Sequence, residues 1–272
     1  MAAMAECPAM KTWSKPPETP VIEDEDVHVW RVALDQPEEI RLDLERCLAA
    51  GEHERAARFH FQRDRDHFIV ARGCLRQILG SYLQAAPDRL NFSYSPYGKP
   101  YLTGPSTPDG LQFNLSHSHS LALIAVTRGR QVGVDIEYTG RELADEQIAR
   151  RFFSVAEVAA LLALPRPIQI EAFFTCWTRK EAYIKARGEG LSLPLDQFDV
   201  TLAPGQPAVL LATRPDAQEV RRWTLRELEP GPGYAAALAV EGRLGEVLCW
   251  QLEYRSSSGP ATANAVRNQP LD

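Results

Sequence analysis

The segment VHVWRVAL, residues 27–34, alternates apolar and polar positions and predicts a strand. The next segment, PEEIRLDLERCLAAGEHERAARF (37–59), sets Ile40, Leu42, Leu44 and Leu48 among charges and predicts a helix. Residues 64–84 predict a longer one, with Phe68, Ile69, Leu75, Ile78, Leu79 and Tyr82 on a broad apolar stripe and Pro87 and Asp88 ending it. FSYSPYGKPYL (92–102) carries a turn between Pro96 and Pro100. LQFNLSHS and LALIAVTRG predict two strands, and QVGVDIEYTG a third. ELADEQIARRFF and SVAEVAALLAL are helical in pattern, and Ser154 stands three residues before Glu157, the spacing of a capping box. IQIEAFFTCWTRKEAYIKARG predicts a second major helix, closed by Gly188 and Gly190. From Phe198 to Tyr254 the pattern is of strands and turns, clearest in GYAAALAV and EVLCWQLEY.

Helix then strands, followed by helix then strands, predicts an α+β (α/β) fold with two similar subdomains, residues 21–140 and 141–254. The first twenty residues hold four prolines and little apolar patterning, so 1–20 and the polar end 255–272 are expected to be disordered tails.

Composition narrows the partners. The 272 residues carry a formal net charge of −6, which argues against a nucleic-acid polymer as partner, since polyelectrolyte binding needs a basic face. Small phosphorylated ligands need only a local basic pocket. The five cysteines are scattered, without a C-x-x-C pair, which fits a reducing compartment. The apolar runs LALIAV and LLAL are too short to span a bilayer. The expectation is a cytoplasmic monomer with no membrane partner.

Candidate chemistry concentrates in four places. On a strand, Gly133, Asp135 and Glu137 share one face and Val132, Val134 and Ile136 the other, so the two carboxylates stand about 7 Å apart. That spacing suits a hard cation, and suits two surface acids equally. On a helix, Trp177, Glu181 and Lys185 form one stripe, a metal-and-phosphate set or an ordinary i,i+4 ion pair. Ser116 and His117, just beyond a strand, can bind phosphate oxygens or close a loop. Arg58, Arg72 and Lys99 are cations that precede the carboxylates, Lys99 on the turn YGKP. No glycine-rich phosphate loop is present.

YGKP, FNLSHS, GVDIE, RRFFSVAE and WTRKEAYIKARGEGLSLPLDQF occur in the order seen in the 4'-phosphopantetheinyl transferases, and over residues 55–200 the chain resembles the longer, surfactin-synthetase-activating branch. The resemblance implies transfer of the phosphopantetheine arm of coenzyme A to a serine of an acyl or peptidyl carrier protein. It implies a pseudo-twofold pair of halves with the site between them. It further implies Mg2+ held by Asp135, Glu137 and Glu181, and Lys185 on the pyrophosphate. Ser116 and His117 would lie at the 3'-phosphate, assisted by Lys99 and Arg72, and Glu157 would be the general base. His119 departs from the family pattern, which has a small residue after S-H-S. Two other readings remain: a Mg2+-dependent nucleotide-pyrophosphate hydrolase, and a non-catalytic module binding coenzyme A or a carrier.

Overall fold

The computed structural model describes residues 13–104, 110–140 and 146–254. Residues 1–12 and 255–272, Cys7 and the opening of the helix expected at ELADEQIARRFF lie outside them. The strands are β1 (Val27–Ala33), β2 (Asn91–Tyr94), β3 (Pro100–Thr103), β4 (Leu111–Ser118), β5 (Leu121–Arg128), β6 (Val132–Tyr138), β7 (Phe198–Val200), β8 (Leu210–Thr213), β9 (Trp223–Leu228), β10 (Tyr234–Glu241) and β11 (Val247–Leu252). The helices are α1 (Glu38–Glu45), α2 (Ala50–Ala56), α3 (Gln62–Leu83), α4 (Glu146–Phe152), α5 (Val155–Ala163), α6 (Arg166–Arg187) and α7 (Glu219–Arg222).

Side-chain alternation sorts the strands into layers. In β1 and β5, Trp30, Val32, Ala122, Ile124 and Val126 pack with α3, whose Val70, Cys74, Leu75 and Ile78 complete that core. The opposite faces, Val27, Val29, Leu123 and Ala125, meet Val132, Val134 and Ile136 of β6 and Ala236, Leu238 and Val240 of β10. The outer face of β10, Ala237 and Ala239, packs with α6. The order through the molecule is therefore α3, first sheet, second sheet, α6. The two halves are alike in plan: each lays a 22-residue helix on a sheet.

The sheets do not divide where the sequence divides the chain. The first sheet runs β11-β1-β5-β4 and the second β6-β10-β9. β6, expected in the first half, ladders antiparallel onto β10, and β11, expected in the second, ladders parallel onto β1. Part of the expected first tail is ordered. Ser14 bridges to β11 through Ser14 N to Cys249 O (3.0 Å) and Gln251 N to Ser14 O (2.8 Å), and the Arg31 guanidinium lies over the Trp13 ring. Short strand additions of this kind leave no apolar run for pattern reading to detect.

The helix expected over 37–59 is broken. Cys47 and Leu48 tighten into bonds three residues back, to Leu44 O and Glu45 O, Ala49 is extended, and Glu52 accepts from Ala49 N at 3.0 Å to start α2 afresh. The reason lies in α3: Arg72 and Arg76 both bind the Glu52 carboxylate, which fixes it at this helix start.

Candidate active site

The two sheets meet edge to edge at β4 and β6, and no backbone ladder joins these strands. Side chains of β4 fill the gap. Asn114 Oδ1 accepts from Val134 N at 2.9 Å, Ser116 Oγ from Ile136 N at 3.4 Å, and Ser118 Oγ from Tyr138 N at 3.0 Å. The constant offset of twenty residues shows the strands running in the same direction. Edge N–H groups that are buried need acceptors, and three polar side chains at i, i+2 and i+4 supply them. The seam is one side chain thick, and carboxylates line it.

Asp135, only 2% exposed, is held there. Its Oδ1 accepts from Ser116 Oγ at 2.8 Å and from Lys185 Nζ at 2.6 Å. Lys185 also donates to Ser116 Oγ at 2.9 Å. The other oxygen, Oδ2, is buried without a hydrogen-bond partner. Glu137 accepts from Ser118 Oγ at 2.8 Å. Glu181 lies on α6 one turn before Lys185. Burial first, and the charge of Asp135 next, push its carboxyl up to about 7.

Gly133 sets the depth of α6. A Cβ there would fall 2.1 Å from Ala182 O and 2.3 Å from Ala186 N, so no other residue lets the helix lie this close to β6. The close approach brings the Glu181–Lys185 turn against Asp135. The face that Gly133 shares with the two carboxylates thus gives its room to a helix backbone.

The remaining sequence candidates sit as follows. Ser116 and His117 lie within β4, not beyond it. As successive strand residues they face opposite ways, Ser116 into the seam and His117 toward the α3 side. Lys99 is engaged within the fold. Its Nζ donates to Gln131 Oε1, Val132 O and Ala186 O at 2.9–3.1 Å, tying the end of α6 to the start of β6, and burial lowers it to about 8. Arg72 is buried against Glu52 and the Phe92 ring. Both cations expected at the 3'-phosphate are therefore engaged internally. A single sequence does not show which carboxylates and carbonyls a cation will find.

Glu157 does form the expected capping box with Ser154 at the start of α5. Beyond that, Oε1 accepts from Val200 N at 2.8 Å and Oε2 pairs with the fully buried Lys180 at 2.8 Å. Lys180 also donates to Leu195 O and Phe198 O, which binds α5, α6 and the start of β7 into one knot. Sequence reading missed Lys180, Asn114 and Ser118. Lys180 gives no signal beyond a lysine in a helix. The other two do: polar residues at 114, 116 and 118 alternate with Phe113 and Leu115, the mark of a strand face that is not apolar.

Among the described residues no three His, Cys, Asp or Glu side chains gather as a ready metal cage. Asp135 and Glu137 are each turned onto a serine.

Two family models match in tandem. Residues 36–129 match the 4'-phosphopantetheinyl transferase N-terminal domain and residues 131–239 the 4'-phosphopantetheinyl transferase superfamily, so the models meet in the turn that links β5 to β6. The chain is 43% identical over 232 residues to the 4'-phosphopantetheinyl transferase HetI of Nostoc sp., covering 85% of this chain and 94% of that protein. It is 33% identical over 192 residues to the 4'-phosphopantetheinyl transferase Sfp of Bacillus subtilis, covering 70% and 81%. A match of this identity and coverage, carried by both halves of the chain, places it in the 4'-phosphopantetheinyl transferase family.

Proposed function

We propose that the seam binds the pyrophosphate of coenzyme A with Mg2+, and that the chain uses it to transfer the phosphopantetheine arm to a serine of an apo-carrier protein. The transferase activity is that of the family; the metal and the residue roles are our reading. One observation carries it: Asp135 Oδ2 is buried with no partner, beside a glutamate whose ionised form is disfavoured. A buried unpaired carboxylate oxygen is costly, and a cation offsets that cost. Asp135, Glu137 and Glu181 would hold the ion, and Mg2+ is bound by few protein carboxylates with waters completing the shell. Bound there, it supplies charge neutralisation at the phosphate oxygens.

The chain's own residues do the rest. Lys185, with 29% of its side chain exposed, is the cation of the seam that reaches solvent and is placed to meet the pyrophosphate. Its hydrogen bonds to Asp135 and Ser116 fix its direction, so little reorganisation accompanies the reaction. The carrier serine forms a new bond to the phosphorus that bears the arm. The bond from that phosphorus to the nucleotide breaks, releasing adenosine 3',5'-bisphosphate, and the serine proton passes to a base. Glu157 has both oxygens engaged and is 3% exposed, which supports the cap and ion pair as its role over the base. His117, on the α3 side of β4, is the remaining residue of our reading for the 3'-phosphate. Among the described residues no helix is long and apolar enough to cross a membrane, and we read the protein as a cytoplasmic monomer.

The test is incubation with coenzyme A, Mg2+ and a panel of apo-carriers, read by intact mass. Transfer adds the mass of the arm to a carrier serine. Release of adenosine 3',5'-bisphosphate without a mass gain on any carrier would make the chain a hydrolase, and binding without turnover would make it a module.

A further inference from the structure

Ser118 makes two hydrogen bonds that a seam-filling residue does not need to combine. Its hydroxyl accepts from Tyr138 N at 3.0 Å, as Asn114 accepts from Val134 N. It also donates its one proton to Glu137 Oε2 at 2.8 Å. A hydroxyl bearing one donor and two acceptor sites can do both, and each bond fixes the direction of the other. Accepting from the strand N–H turns the O–H toward the carboxylate. Ser116 repeats the arrangement two residues earlier, accepting from Ile136 N and donating to Asp135 Oδ1. Asn114, at the third position of the same face, clips a backbone N–H and, among the described residues, donates to no carboxylate.

We infer that Ser118 is a positioning residue for Glu137, orienting that carboxylate toward the cation that Asp135 and Glu181 face. The inference rests on the metal reading above. Ser118 acts through Glu137: it holds one oxygen of that carboxylate so that the group does not rotate away from the seam. Outer hydrogen-bond partners of metal ligands commonly set metal affinity by about 10- to 100-fold. The side chain is also short and held by β4, so the bond costs little ordering.

The experiment titrates Mn2+ into the purified full chain and follows free ion by electron paramagnetic resonance, with thermal unfolding measured in parallel without metal. The variants are Ser118→Ala, Ser118→Thr, Asn114→Ala, Glu137→Ala and the double variant Ser118→Ala/Glu137→Ala. The expected result is an affinity loss of about 10-fold or more for Ser118→Ala, recovered in Ser118→Thr, which keeps the hydroxyl. Asn114→Ala should lower the melting temperature and leave Mn2+ affinity within about twofold, because it clips the seam without steering a ligand. In the Glu137→Ala background, Ser118→Ala should add no further loss. Equal affinity losses in Ser118→Ala and Asn114→Ala would reduce Ser118 to a clip and overturn the inference. So would an unchanged affinity in Ser118→Ala when the wild-type chain binds Mn2+. A wild-type chain that binds no Mn2+ overturns the metal reading itself, and this inference with it. The Glu137→Ala comparison keeps the test valid if Ser118→Ala is less stable, because an effect routed through folding would persist in the double variant.

Discussion

Lys185 Nζ lies 2.6 Å from Asp135 Oδ1, and the same ammonium reaches the Ser116 hydroxyl that Asp135 also accepts from. Helix, second-sheet edge and first-sheet edge thus meet at three atoms. The carboxylate oxygen left over is the one without a partner. Removing Asp135 should therefore cost rate before it costs fold. Asp135→Ala should lower transfer about 100-fold, or about 3 kcal/mol of barrier, at saturating Mg2+. Lys185 is partly exposed and can be re-solvated, so the melting temperature should move little. Single-turnover transfer to an apo-carrier checks this, and normal turnover would remove Asp135 from the site.

Glu157→Gln gives an outcome that the capping box alone does not foretell. A glutamine still caps α5, so the sequence pattern expects unchanged stability. The structure adds Lys180, fully buried against Glu157, and neutralising one partner leaves that ammonium uncompensated. The variant should lose about 3–5 kcal/mol. Glu157→Gln/Lys180→Met should regain much of it by removing both charges. If the double variant also transfers at near wild-type rate, Glu157 is structural; a rate down by about 10²–10⁴ with stability restored would make its carboxylate the base.

Lys99 and His117, grouped by the sequence at one phosphate, should separate in experiment. Lys99→Met removes three hydrogen bonds from a charged donor to the β6–α6 junction, and should destabilise by about 2 kcal/mol or more. His117→Ala should weaken coenzyme A more than dephospho-coenzyme A, by about 10-fold. Calorimetric titration with both ligands and thermal unfolding of both variants give the answer. Equal losses for the two ligands in His117→Ala would move it away from the 3'-phosphate.

His28 should make the protein acid-sensitive. It is fully buried, with Nδ1 2.7 Å from the Tyr82 hydroxyl and its ring against Trp250, and burial lowers it to about 4 against a small opposing pull from Asp26. The native state keeps the ring neutral while the unfolded chain protonates it below about 6.5. Stability is therefore whole above pH 6.5 and falls as pH drops toward 4, by about 3 kcal/mol in all. Denaturant unfolding between pH 4 and 7, compared with His28→Gln, should show this slope in the wild type and a shallower one in the variant.

How far the chain could be read without coordinates follows from the range of each interaction. Local patterns placed both long helices and the strands around the site, and the alternation in GVDIE separated Asp135 and Glu137 from Val134 and Ile136. The stripe of Glu181 and Lys185 came from helical spacing. Pairing across distance leaves no such local mark. Lys99, Arg72 and Glu157, expected at the substrate, are each engaged by an internal partner, at Ala186 O, Glu52 and Lys180. Nothing in the spacing of a lysine or an arginine shows whether it meets a phosphate or a buried carboxylate. The sheets likewise do not follow the expected division near residue 140, because strand partners are chosen by the sheet and β6 pairs with β10.

The placement of β11 bears on how the protein is made. Its residues are the last described strand of the chain, yet they ladder beside β1, and Ser14 adds to them from the other end. During synthesis the ribosome exposes β1, β4, β5 and α3 long before residue 252 emerges. Until then β1 presents an unpaired edge, with Val27, Val29, Leu123 and Ala125 lacking the second sheet as cover. The first half is therefore a nascent intermediate with an open edge and an uncovered apolar face, the features that recruit chaperones and favour misassembly. Cutting the gene where the two family models meet would separate Asn114, Ser116 and Ser118 from the β6 edge they fill, and the earlier fragment would also be missing a strand of its own sheet.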